Sequence, residues 1–153
     1  MFPTITVTIT GDKDLHAKLK RLGSKLDDYS GAMKDIGRSL ASYYAGEAFA
    51  SQGGVYGEVW APLSPSYAIA KAKKYPGRGL LVRTGKMQQG FTATTNSHSA
   101  LITNKVSYYK YHQSPEEPRT RIPRRKMAGV NEEVIKRVTT IIQEDVADKI
   151  RSL

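Results

Sequence analysis

The sequence NEEVIKRVTTIIQEDVADKIR, residues 131–151, carries the strongest helical pattern of the chain. Its apolar side chains recur at the three- and four-residue spacing of one helix face. They are Val134, Val138, Ile141, Ile142, Val146 and Ile150. Asn131 is a favourable N-cap, acidic residues fill the first turn, and Lys149 and Arg151 lie at the negative end of the helix dipole. We predict a long amphipathic helix that packs on another helix.

Two more helices are predicted upstream. Leucines at 4-3-4 spacing follow Asp12, which would cap the first of them; they are Leu15, Leu19, Leu22 and Leu26. The second helix is predicted over about residues 32–50. In this helix Gly37, Ala41 and Ala45 are small, so we expect another helix to approach it closely there.

Strands are predicted where β-favouring residues alternate or flank a turn. Threonine alternates with isoleucine and valine over residues 4–10, as in a half-buried strand. Residues 91–95 and 100–103 flank a polar turn and predict a hairpin. Short helices are predicted from Ser64 or Ser66 to Lys74 and over Thr84 to Phe91. The predicted fold is α+β, a small antiparallel β-sheet packed with two or three long helices.

The length of the chain, 153 residues, predicts one domain over residues 1–153. Three prolines lie in residues 114–123, and we expect an extended Pro/Arg-rich arm over about residues 114–126.

The chain has no cysteine, which excludes disulfides and thiolate metal sites. No apolar run approaches the roughly 20 residues that span a bilayer, and residues 1–5 do not resemble a signal peptide. We therefore expect no membrane contact and synthesis in the cytoplasm.

Positive charge is concentrated in the middle of the chain. Residues 65–126 hold 13 lysines and arginines against 2 acidic residues, whereas residues 1–64 hold 7 of each and residues 127–153 hold 4 against 5. A basic block between balanced flanks indicates contact with something acidic, either nucleic acid or the acidic face of a protein.

The arm is the densest part of this block. Arginine outnumbers lysine there, and arginine suits bidentate pairing with carboxylate or phosphate. Pro118 and Pro123 would stiffen the arm and reduce the entropy lost on docking. A basic solvated loop is the simpler alternative, and nearby tyrosines could instead stack on bases. The candidate partner-interface residues are Trp60, Pro62, Lys71, Lys73, Lys74, Arg78, Arg119, Arg121, Arg124, Arg125 and Lys126. Trp60 fits a core anchor equally well.

No catalytic or metal-binding pattern is present in the sequence. His16, His98 and His112 are not spaced as metal ligands, and no nucleophile–base pair or phosphate-binding loop is recognisable. We therefore expect neither enzymatic activity, nor a metal, nor a cofactor.

Several short motifs occur in the order typical of one known family. They are Phe49…Gly57-x-x-Trp60-Ala61-Pro62-Leu63-Ser64, Lys71-x-Lys73, Leu81-x-x-Thr84-Gly85-x-Met87, Tyr109-x-x-His112-Gln113 and Ile122-Pro123-x-Arg125-x-Met127-x-Gly129. With the final helix, over about residues 32–150, the chain resembles the phage virion morphogenesis family. Residues 114–118 depart from the family pattern, which places an apolar residue and glycine after His-Gln.

The resemblance implies a non-enzymatic tail completion protein that joins head and tail in the virion. It implies a homo-oligomeric ring, with six copies as the expected number, between the tail terminator or tail tube and the head connector. DNA contact would be secondary. The alternative is a sequence-independent nucleic-acid-binding module, for which the basic block is the evidence.

Overall fold

A computed structural model of the chain describes residues 13–113 and 122–153. The described elements, in chain order, are α1 (Lys13–Leu26), α2 (Ser30–Tyr43), a π-helical turn (Tyr44–Ala48), a 3-10 turn (Gly54–Tyr56), α3 (Pro65–Lys74), β1 (Phe91–Thr95), β2 (Ala100–Asn104), α4 (Tyr109–Gln113) and α5 (Glu132–Arg151). This confirms the α+β prediction. The strand predicted over residues 4–10, the proposed cap Asp12 and residues 114–121 of the arm lie outside the described residues.

Helix α5 packs against α2, as the apolar stripe predicted. Asn131 caps α5, because its Oδ1 accepts a hydrogen bond from the Val134 amide at 2.9 Å. Its Nδ2 donates to the Tyr43 hydroxyl and to the Val55 carbonyl, both at 2.8 Å. The cap therefore joins the start of α5 to the end of α2, and the predicted cap is confirmed.

The hairpin of β1 and β2 is also confirmed, with Phe91 opposite Asn104 and Thr95 opposite Ala100. It lies against α2, and Gly37 of α2 faces β1. A Cβ atom on Gly37 would lie 2.7 Å from the Ala93 Cβ. The expectation that a helix approaches this position was wrong, because strand β1 occupies the space that glycine leaves.

The helix predicted over Thr84 to Phe91 was also wrong, since these residues form turns before β1 begins. Gly85 has φ of 83°, a left-handed conformation that interrupts a helix. The Asn104 side chain then donates to the Met87 carbonyl at 2.7 Å, so β2 holds this turn against the hairpin.

The core is built around aromatic rings and two methionines. Phe49 meets Trp60 edge-to-face with ring centroids 5.2 Å apart, and Phe91 meets Tyr109 in the same way at 5.7 Å. Met127 is fully buried, and the buried Met87 belongs to the same cluster. The core therefore joins α2 and the hairpin to the segment just before α5.

Candidate interaction surface

Residues 125–129, the central segment, lead from the end of the arm towards α5 without a helix or strand, and Arg125 and Met127 in this segment are buried. Four side chains from distant parts of the chain donate hydrogen bonds to its carbonyls. The pairs are Trp60 to Lys126 at 2.8 Å, Tyr56 to Met127 at 3.3 Å, Gln113 to Ala128 at 2.6 Å and Tyr44 to Gly129 at 3.0 Å. Side chains from four separate parts of the sequence thus converge on the central segment.

The Gln113 side chain makes hydrogen bonds to the backbone of the central segment like those that a neighbouring strand would make. Its Oε1 accepts from the amides of Met127 at 2.7 Å and Ala128 at 3.0 Å, while its Nε2 donates to the Ala128 carbonyl. An amide side chain can satisfy both kinds of backbone group, which no apolar residue could do. The Gln of the His-Gln motif is therefore a structural residue.

Trp60 is 3% exposed and serves as a core anchor. The loop before it must contain glycine, because Gly53 has φ of 84° and lies against the indole. A Cβ atom on Gly53 would lie 2.5 Å from the Trp60 Cδ1. The core interpretation of Trp60 agrees with this placement, and the buried ring leaves almost no surface for a partner.

Lys71 and Arg125 are buried cations, 7% and 5% exposed. Arg125 donates through Nε to the Ala61 carbonyl at 2.8 Å and through a terminal nitrogen to the Pro62 carbonyl at 3.1 Å. Lys71 donates to the Gly79 carbonyl at 2.5 Å. The expectation that Arg125 reaches an acidic group on another subunit disagrees with this placement, because its guanidinium is turned inward to backbone carbonyls.

Burial lowers the pKa of both groups. For Lys71 the main cause is desolvation of the ammonium, and the positive charge of Arg125 adds to it. For Arg125 the cause is desolvation of the guanidinium. Across the described residues neither side chain forms an ion pair with a carboxylate, so two neighbouring positive charges are held by carbonyl dipoles alone.

A cavity of about 430 Å³, the basic cleft, opens beside these two cations between α3, the turn at residues 81–87 and the described end of the arm, residues 122–125. Arg83 and Lys86 add two more cations to its lining. The apolar lining comprises Leu63, Leu81, Met87, Tyr108, Ile122 and Pro123, with Tyr67 at the edge. No carboxylate of the described chain lines the cleft.

Other candidate interface residues lie on the surface. Pro62, Lys73, Lys74 and Arg78 are exposed, and Lys126 is half-buried. The Lys126 ammonium lies 5.1 Å from the centre of the Tyr56 ring.

Arg124 is exposed and lies at the end of the arm. Its Nε donates to the Gln113 carbonyl at 3.1 Å, and a terminal nitrogen lies 3.5 Å from the Glu58 carboxylate. Arg119 and Arg121 lie outside the described residues. For every surface candidate, a role in binding a partner stays a prediction.

Sequence reasoning missed Arg83 and Lys86. They flank the Thr84-Gly85 motif, and the left-handed turn at Gly85 lies between them at the rim of the cleft. The Thr84-Gly85 motif could have indicated them, because a glycine suggests a tight turn, and a tight turn brings the residues on either side of it to one place.

The described residues contain neither a metal-binding cluster nor a membrane-spanning helix. Within residues 13–113 and 122–153, no group of three or more histidine or acidic side chains is placed to hold a metal ion. None of the helices in those ranges has the length and apolar content needed to cross a bilayer.

Comparison with known proteins adds one finding. The sequence model of the phage virion morphogenesis family matches residues 11–147, most of the chain. No curated protein and no solved structure shows significant similarity to this chain.

Proposed function

The chain belongs to the phage virion morphogenesis family, and from that premise we propose that it completes the phage tail and joins it to the head. Membership gives a role in virion assembly. The finer assignment to the tail or neck is supported by the order of the short motifs and by the final helix. The family match over residues 11–147 is the observation that carries the proposal.

The proposed working form is a ring of identical subunits, with six copies expected, at the head-proximal end of the tail. One face would meet the tail terminator or tail tube, and the other the head connector. The exposed cations Lys73, Lys74, Arg78 and Arg124 and the arm supply a surface suited to acidic protein faces. DNA in the lumen would be a secondary contact, because tight binding there would hinder genome ejection.

This function needs no chemistry, and we propose that the protein is not an enzyme. Incubation with nucleic acid and Mg²⁺ or Mn²⁺ should give no cleavage. A cleavage activity that is lost in His112→Ala would overturn this part of the proposal.

The proposal is tested by electron microscopy of particles made without this protein. We expect DNA-filled heads and separate, complete-length tails. Normal joined particles with altered genome content would favour the alternative, a sequence-independent nucleic-acid-binding module.

The arm has its own test, the variant Arg119→Ser/Arg121→Ser/Arg124→Ser, which leaves the buried Arg125 in place. We expect it to join heads and tails poorly. The matched control is Lys18→Ser/Lys20→Ser/Arg21→Ser on α1, which removes the same charge from exposed positions and should join normally. Equal joining by the two variants would contradict a role for the arm.

Salt dependence separates protein docking from binding to duplex DNA. Contact with Z phosphates weakens with a log–log slope of about −0.9Z. Docking on a protein with an apolar centre should weaken much less. A steep salt-dependent gel shift of duplex DNA would favour the nucleic-acid alternative.

A further inference from the structure

The basic cleft has an electrostatic arrangement that the fold alone does not require. A buried cation is costly unless a carboxylate or several hydrogen bonds compensate it. Here Lys71 and Arg125 are both buried, and among the described residues their hydrogen bonds go to the backbone carbonyls of Gly79, Ala61 and Pro62. Arg83 and Lys86 increase the positive potential at the opening. The potential in the cleft therefore favours an anion.

The shape and lining of the cleft limit what that anion can be. A volume of about 430 Å³ accommodates one or two side chains, and much of the wall is apolar. Tyr67, Tyr108 and Ile122 are large apolar side chains that are 41–48% exposed at this site. A free phosphate would leave this apolar surface uncovered, and duplex DNA is too wide to enter. A ligand with a carboxylate next to an apolar side chain would pair with the cations and also cover the apolar wall of the cleft.

The described surface of the chain itself offers no strongly acidic patch as the occupant. Most described carboxylates already have a cation or a backbone amide as partner. They are Asp28, Asp35, Glu47, Glu58, Glu133, Asp145 and Asp148. Charge complementarity with the cleft therefore favours an acidic segment of a different protein over the described carboxylates of this chain.

We propose that the basic cleft binds an acidic segment of a partner protein, inserting an apolar side chain between Leu81, Met87 and Tyr108. Flanking carboxylates then pair with Arg83 and Lys86 at the rim. The inference rests on the proposed function in one respect, namely that the partner is another protein of the virion.

The test uses the full, isotope-labelled chain and short synthetic peptides at low salt, followed by amide chemical shifts. The probe is acetyl-Glu-Phe-Glu-amide. One control peptide replaces glutamate by glutamine and another replaces phenylalanine by glycine. Inorganic phosphate and a thymidine tetranucleotide are the phosphate-bearing probes. We expect the Glu-Phe-Glu peptide to shift cleft residues and to bind more tightly than every other probe.

A pair of matched variants links binding to the cleft. Arg83→Ser/Lys86→Ser should weaken the peptide by about tenfold or more, as expected for lost charge-assisted contacts. Lys18→Ser/Lys20→Ser removes the same charge from exposed positions on α1 that do not line the cleft, and should leave affinity nearly unchanged. Arg83 and Lys86 are exposed, so thermal melting should show both variants folded.

Several results would overturn the inference. They are absence of shifts at the cleft, equal weakening by both variants, equal affinity for the Gly-containing peptide, and tighter binding of phosphate or the tetranucleotide. A separate result, normal head–tail joining in the absence of the protein, would contradict the proposed function. Peptide binding in the cleft would remain measurable in that case.

Discussion

Side chains of a few polar residues position the core of this protein. Gln113 satisfies three backbone groups of the central segment, and Arg125 satisfies two carbonyls of the Trp60 loop. Met127, between these contacts, is fully buried, so an amide left without a partner there could not be compensated by water. The two residues fix the chain path from the arm into α5.

Replacement of Gln113 by alanine should therefore destabilise the fold. The loss leaves the buried amide of Met127 without its acceptor, and unsatisfied buried groups cost about 1–3 kcal/mol each. We expect a decrease of about 2–4 kcal/mol in the free energy of unfolding, measured by urea denaturation. Gln89→Ala, at an exposed position, should change it by less than about 0.5 kcal/mol. Similar values for the two variants would contradict the structural role of Gln113.

One buried and two half-buried tyrosines give the protein a predictable response to alkali. Burial, with a smaller contribution from Tyr44, raises the pKa of Tyr109 from 10.0 to about 12. Burial also raises the pKa of Tyr44 and of Tyr56. Since the folded state holds these protons more tightly than the unfolded state, the stabilisation is complete below pH 10 and is lost as pH rises to about 12.

We expect the tyrosinate absorbance of Tyr44, Tyr56 and Tyr109 to appear above pH 10. The unfolding free energy should fall over the same alkaline range. Tyr109→Phe should reduce that fall, because phenylalanine has no proton to lose. Ionisation of Tyr109 near pH 10, with unchanged stability over the alkaline range, would contradict the assignment.

At the scale of elements, periodic patterns predicted the helices and hairpin well. The stripe and cap of α5, the leucine helix α1 and the hairpin of β1 and β2 follow from local spacing. The predictions that were wrong concern places where contacts between distant residues determine the local structure. The helix predicted over residues 84–91 gives way to turns at Gly85, and the small face of α2 receives a strand, which residue size alone could not distinguish from a helix.

The contact of α2 with β1 can be tested by a double-mutant cycle. Gly37→Ala improves helix propensity but places a Cβ atom 2.7 Å from that of Ala93, so we expect net destabilisation of about 1–3 kcal/mol. Adding Ala93→Gly should recover part of the loss. Gly23→Ala in α1, where no atom lies within 4 Å, should stabilise by about 0.5–1 kcal/mol. Strict additivity of the Gly37 and Ala93 changes would contradict the close approach.

At the scale of the whole molecule, the sequence predicted the family and the basic middle, but not how the charges are distributed in space. Lys71 and Arg125 were predicted at a partner interface and are buried, whereas Trp60, predicted equally as a core anchor, lies in the core. Arg83 and Lys86 were not predicted, and they line the cleft. Linear charge counts cannot separate a buried cation from an exposed one, because burial depends on contacts between residues far apart in the chain.

The most direct test of head–tail joining is addition of the purified protein to an extract that contains heads and tails made without it. Plaque titre and micrographs of the same sample are then measured. We predict that titre rises with added protein and that joined particles replace separate heads and tails. An unchanged titre with heads and tails still separate, despite folded protein in excess, would contradict the proposed role.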